Sequence, residues 1–192
     1  MDAPRHVHLL FSGFRQRWSD PDNGMSLIYR TIRHRHPTSE TLWYPWHVDA
    51  GDLADMICGY AAQLHPDPLK LTICGYSFGG STAVDLCRRL YRRGGPVVSS
   101  LVLMDAVKRR SRAPWGWLAA WNQAARFNIP SNVLHTVAFY QRTNWPRGHR
   151  VRLEKPSVSS IEWIRLYEPH GAMDNHPLAR DAALMGCERT YR

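Results

Sequence analysis

Three side chains in this 192-residue chain have the types and placement needed for nucleophilic catalysis. Ser77 is the centre of Gly75-Tyr76-Ser77-Phe78-Gly79. An apolar run rich in β-formers (Leu71, Ile73, Cys74) leads in, and apolar residues at helical spacing (Ala83, Val84, Leu86, Cys87, Leu90) lead out. A turn that tight between strand and helix strains its central residue and presses the strand end against the helix start, so glycine is needed on both sides. The strain would lift the Ser77 hydroxyl to the C-terminal edge of a sheet, above a helix N-terminus. The same residues also fit a glycine-rich turn whose serine only caps the helix. A serine hydroxyl is a poor nucleophile at neutral pH. It needs an imidazole to take its proton and a carboxylate to hold that imidazole in the right tautomer. Asp105 follows the apolar run Val97 to Met104, and His170 follows the run Ser160 to Tyr167. His176 competes with His170, but the Pro177 after it points to a helix-capping role, and His170 is nearer its strand.

These residues need a scaffold that brings several strand ends to one edge. Strands are expected at Arg5 to Phe11, Thr41 to Val48, the run before Ser77, Val97 to Met104, Val133 to Tyr140 and Ser160 to Tyr167. Pro45 limits the ladder of the second. Helical spacing recurs at Met25 to Ile32, Leu53 to Leu64 and Ala83 to Leu90, then over Pro114 to Phe127 and from Pro177 to Met185. Such alternation predicts an α/β protein, a three-layer α/β/α sandwich around a six-stranded, mainly parallel sheet with right-handed crossovers. In such sheets ligands bind beyond the C-terminal ends of the strands, where Ser77, Asp105 and His170 all fall.

The order Ser, Asp, His resembles that of the α/β-hydrolase superfamily, as do the early strand ending in Ser12-Gly13-Phe14 and the G-Y-S-F-G-G turn. The resemblance covers nearly the whole chain and implies a minimal α/β-hydrolase fold, a single domain over 1–192 with a short flap at 108–130. It also implies a serine hydrolase that works through an acyl-enzyme, with no cofactor. The family's acid usually follows the penultimate strand, yet after Val133 to Tyr140 no Asp or Glu occurs before Glu154. Asp105 is therefore the first choice and Glu154 the reserve. The ending H-G-A-M-D-N-H-P resembles an H-x-x-(Ile/Met)-D pattern of small bacterial and phage hydrolases, in which the first histidine, here His170, is catalytic. Asp174 is then expected to cap the final helix or order the histidine loop. The oxyanion donors would be the backbone N–H of Phe78 and that of Phe14.

Composition narrows the alternatives. At 44% hydrophobic and 21% charged the chain reads as soluble and globular. Its first residues lack a signal-peptide pattern, and no run approaches ~18 apolar residues, so a cytoplasmic location is expected. Cys58, Cys74, Cys87 and Cys187 are scattered and read as free thiols. His6 with His8, and His34 with His36, give at most two ligands each, so no metal site is expected. The formal net charge of +9 suits an anionic substrate or membrane surface, and no nucleic-acid motif accompanies it. Lys108 to Arg112 form a basic rim beside Trp115, Trp117 and Trp121. With Tyr76, these tryptophans are the candidate substrate contacts, closing over an acyl chain or meeting lipid. The same aromatics fit a helix burying one face on the sheet. The function expected is hydrolysis of carboxylic esters, esterase or lipase-like. The alternatives are an acyl thioesterase whose basic rim binds a phosphorylated carrier or coenzyme A, and a binding module without catalysis.

Overall fold

Six strands form one parallel sheet in the order β2-β1-β3-β4-β6-β8. They are β1 (His6–Phe11), β2 (Glu40–Tyr44), β3 (Lys70–Tyr76), β4 (Val98–Met104), β6 (Val133–Tyr140) and β8 (Ser160–Arg165). The computed structural model describes residues 6–17, 19–64, 69–109 and 125–190. Every pairing in the sheet is parallel, which requires crossovers between successive strands. This is the minimal α/β-hydrolase fold that the sequence implies.

Helices cover both faces because the central strands are apolar on both. Val7, Leu9 and Phe11 of β1, Leu71 and Ile73 of β3, and Leu101 and Leu103 of β4 pack against α2 (Ala50–Gln63) and α3 (Phe78–Arg92). The intervening Leu10, Cys74, Tyr76, Val102 and Met104 face α1 (Gly24–Arg35) and α4 (Pro177–Thr190). Each fully buried side chain, such as Ile28 or Leu86, contributes roughly 1.5–3 kcal/mol relative to exposure. Side chains of the preceding residue start two of the helices: Asn23 accepts from Ser26 N at 2.7 Å, and Asp49 from Gly51 N at 2.6 Å. At the end of α3, Arg89 pairs with Asp85 one turn back at 3.0 Å, and Arg93, just past the helix, pairs with Asp55 of α2 at 2.6 Å. All four cysteines are free thiols.

Several sequence expectations need correction. The second strand stops at Tyr44 rather than Val48, because Pro45 has no N–H for the ladder. The last strand ends at Arg165, not Tyr167. The helix expected to reach Phe127 does not: Arg126 and Phe127 belong to β5 (Arg126–Ile129), which pairs in parallel with β7 (Arg150–Leu153) as a separate ribbon. Phe127, Ile129 and Val151 seat that ribbon on the α3 side of the core. Residues 110–124, with the rest of that expected helix, lie outside the described residues. No described helix is long and apolar enough to cross a membrane.

Chain order sets where a ligand can sit. After β2 the chain crosses back over β1 to β3 and then proceeds outward through β4, β6 and β8, so the winding direction reverses between β1 and β3. The register aligns the ends. Phe11 is level with Gly75, Tyr76 with Met104, and Met104 with Phe139. Ser12, Ser77 and Asp105 therefore leave the sheet side by side.

Candidate active site

Ser77 sits in the turn between β3 and α3 with φ 52° and ψ −122°, a conformation costly for a residue with a Cβ. The surroundings hold it there. Its N–H donates to Met104 O at 3.1 Å, and its carbonyl accepts from Gly80 N at 3.1 Å and Val107 N at 2.9 Å. Gly79 lies against the carbonyls of Phe11 and Ser12, where a Cβ would collide with backbone, so this glycine lets α3 approach β1. The Ser77 hydroxyl makes no cap to α3. It points instead to His170, with Nε2 2.9 Å from Oγ.

His170 opens a single 3-10 turn, His170–Ala172, beyond β8. Three contacts fix it. Its N–H donates to Asn144 Oδ1 at 2.9 Å, its carbonyl accepts from Tyr76 Oη at 2.7 Å, and its ring stacks on Tyr76 with centroids 5.4 Å apart. Tyr76 is buried, and burial, with the charges of Asp174 and Asp105, pushes its phenol pKa up. It therefore stays a neutral hydroxyl donor beneath the imidazole. Nδ1 of His170 lies 2.6 Å from Asp105 Oδ2. Given that partner, Nδ1 carries the proton and Nε2 presents a lone pair to the serine hydroxyl.

Asp105 is fully buried at φ 44°, directly after β4. Its Oδ1 accepts from Gln141 N at 3.2 Å and Gly148 N at 2.8 Å, and Oδ2 accepts from Gln141 Nε2 at 3.0 Å as well as from the histidine. Gln141 also donates to the carbonyls of Asn144 and Pro146 and accepts from the N–H groups of Thr143 and Asn144. One amide thus folds the loop after β6 around the carboxylate. A Cβ on Gly148 would strike Asp105 itself. Glu154, the reserve acid, is elsewhere, 3.9 Å from Arg88. His176 meets Glu168 at 3.3 Å and accepts from Leu178 N at 3.2 Å at the head of α4.

Asp174 does not cap α4. Its buried carboxylate accepts from Gln16 Nε2 at 2.7 Å and from Met25 N at 3.1 Å, so it ties the histidine loop to the head of α1. Gln16 passes the link on, accepting from Gly13 N at 2.8 Å beside Phe14. Burial raises the Asp174 pKa against the pull of these hydrogen bonds.

The rings of Phe14 and Phe78, whose N–H groups are the expected oxyanion donors, meet edge to face at 6.2 Å. Both touch Trp46, at 5.8 and 5.7 Å, and the Arg109 guanidinium lies 4.5 Å over that indole. Thr82 Oγ1 donates to the Trp46 carbonyl and so fastens this wall to α3. Lys108, expected in a basic rim, donates its ammonium to Arg126 O at 2.8 Å. Trp115, Trp117 and Trp121 lie outside the described residues. Gly148, Asn144, Gln16 and Trp46 were not singled out from the sequence. The polar stretch after β6 and the aromatic-rich 41–48 were the available signals.

The thioesterase domain family matches residues 18–134, more than half of the chain. The chain belongs to that family. Its members are α/β-hydrolases, and this thioesterase-family chain is a hydrolase of the esterase and thioesterase kind. Its fold is similar to that of an esterase from Pyrobaculum calidifontis, with a TM-score of 0.60 at 14% identity over 98% of this chain and 76% of the other. Carboxyl esterase 2 from the fungus Tuber melanosporum gives 0.53 at 10% identity, over 99% and 78%. RedJ, a thioesterase of the prodiginine pathway in Streptomyces coelicolor, gives 0.50 at 13%, over 97% and 90%. At such identities the likeness is one of fold. No curated protein matches the chain.

Proposed function

We propose that this protein hydrolyses carboxylic esters through an acyl-enzyme, with Ser77 as nucleophile, His170 as general base and then acid, and Asp105 as the group that orients His170. The observation that carries this reading is the continuous chain Ser77 Oγ, His170 Nε2, His170 Nδ1, Asp105 Oδ2, with links of 2.9 and 2.6 Å. Ser77 attacks the acyl carbon while Nε2 takes its proton. The imidazolium then protonates the leaving alcohol, and a water activated by the same nitrogen releases the acid. Oxyanion charge would fall to the backbone N–H groups of Phe78 and Phe14, each contributing ~3 kcal/mol to the transition state. Phe14, Trp46 and Phe78 offer an apolar wall for one substituent of the ester.

A thioester substrate is the second reading, favoured by the family to which the chain belongs. The chemistry differs only in the leaving group. Fluorophosphonate labelling of wild type and Ser77→Ala tests the shared mechanism. Labelling that is independent of Ser77, or absent altogether, would overturn it and leave a binding module. Rates on matched oxygen esters and thioesters of varied chain length then separate the two substrates by kcat/KM.

A further inference from the structure

Behind Asp105, on the side of the β5/β7 ribbon, lies a cleft of about 530 Å³. Its wall carries Arg126, Arg142, Arg147 and Arg150 together with Tyr140 and Trp163. Among the described residues, no acidic side chain lines it. Among the described residues, no carboxylate makes an ion pair with any of the four arginines. Arg126 and Arg150 are direct register partners on β5 and β7, and both are exposed. Like charges placed opposite one another on neighbouring strands oppose pairing. A two-stranded ribbon of four residues per strand gains nothing in folding from that pair. A bound anion would offset the repulsion.

The donor set points to phosphate. Guanidinium groups meet phosphate oxygens through paired N–H bonds, and several around one cleft suit more than one phosphate charge. The volume falls in the range of small-molecule sites and is much larger than a single phosphate needs. Trp163 is 41% exposed and meets Tyr140 edge-on, with centroids 5.9 Å apart at 82°. An exposed indole beside guanidinium groups suits a planar aromatic ring in the same ligand. We infer that this cleft is a binding site for an organic polyphosphate bearing an aromatic ring, of the nucleoside diphosphate type. The ligand would lie against the loop that grips Asp105, because Gln141 and Gly148 both line the cleft and donate to that carboxylate. The inference does not rest on the reactivity of Ser77, and it uses none of the residues of the Lys108 to Arg112 rim.

Titration calorimetry of the full chain with ADP, pyrophosphate, orthophosphate and adenosine tests it without turnover, so an unreactive Ser77 would not affect the outcome. ADP should bind at least tenfold more tightly than orthophosphate, and adenosine should not bind. ADP affinity should fall as ionic strength rises. Arg126→Gln/Arg150→Gln should weaken ADP at least tenfold while the thermal melt of the free protein holds or rises, since the opposed charges are gone. Arg147→Gln, outside the ribbon, should do the same in part if the double variant folds poorly. Trp163→Leu should weaken ADP while sparing pyrophosphate. The inference is overturned by no ADP binding at about 1 mM, or by affinity that none of these arginine changes alters. It is equally overturned if only phosphatidylglycerol vesicles bind and ADP fails to compete with them.

Discussion

Gln141 shows how much of the site depends on a single amide. Its Nε2 serves Asp105, Asn144 O and Pro146 O, and its Oε1 collects two backbone N–H groups. In Gln141→Ala the Asp105 carboxylate keeps two backbone donors and the histidine, but the loop carbonyls and N–H groups lose their common partner. Leaving buried polar groups unpaired costs ~1–3 kcal/mol. We expect a lower melting temperature and a kcat reduced about tenfold or more, with KM changing little, since Gln141 meets the acid rather than the substrate. Asp105→Asn is a sharper test of the orienting role. An amide can present its NH₂ to Nδ1 and so impose the wrong tautomer, and kcat should fall by ~10⁴ while the fold persists. A loss of less than tenfold would show that Asp105 does not act through His170. The difference between the two residues also explains what the sequence revealed. Ser77 was legible because a strained turn demands glycine on both sides, and Asp105 and His170 because each closes an apolar run. Gln141 closes one too, but a neutral amide does not declare what it binds, and its role emerges only where the loop wraps around the carboxylate.

At the scale of elements, the site is held by loops that meet far from where they start. Asp174, beyond β8, reaches the first turn of α1 and, through Gln16, the Gly13 N–H beside Phe14. The loop bearing the proposed base and the loop bearing a proposed oxyanion donor are thereby one unit. Burial raises the Asp174 pKa, so the folded state holds this proton more tightly than the unfolded chain does. Its contribution to stability is then greatest at low pH and declines as pH rises from the ordinary aspartate value through the raised one. Asp174→Asn removes that titration. Urea unfolding from pH 3 to 7 should show wild type losing stability relative to the variant across that window and running parallel to it above. Curves parallel throughout would mean that Asp174 does not titrate on folding. The elements themselves were unequally legible. Helices α1 to α3 announce themselves by spacing, α1 and α2 also by a capping side chain, and the six long strands by apolar runs. Strands β5 and β7 do not, because four residues with alternating arginines, as in Arg150-Val151-Arg152-Leu153, read as polar loop.

For the molecule as a whole, the parallel sheet encloses polar side chains that a one-sided sheet would leave in water. His8 points from β1 toward the α1/α4 layer and is fully buried. Its ring lies 6.1 Å from that of His36. Burial first, then the neighbouring charges of His36 and His6, lowers its pKa to about 3. The unfolded chain takes up a proton here near pH 6.5 while the folded protein does not, so its neutral burial supports the fold fully only above that pH. Stability drains away as pH falls from about 6.5 toward about 3, at up to ~1.4 kcal/mol per pH unit from this residue alone. The net charge of +9 adds self-repulsion in the same direction. His8→Gln keeps a polar side chain in place without the titration. Between pH 7 and pH 5 wild type should lose about 2 kcal/mol more than the variant, read as a larger drop in urea midpoint at equal m-value. The charge term is nearly common to both proteins, so it cancels in the comparison. Equal losses would assign acid sensitivity to the surface charge and not to the buried histidine.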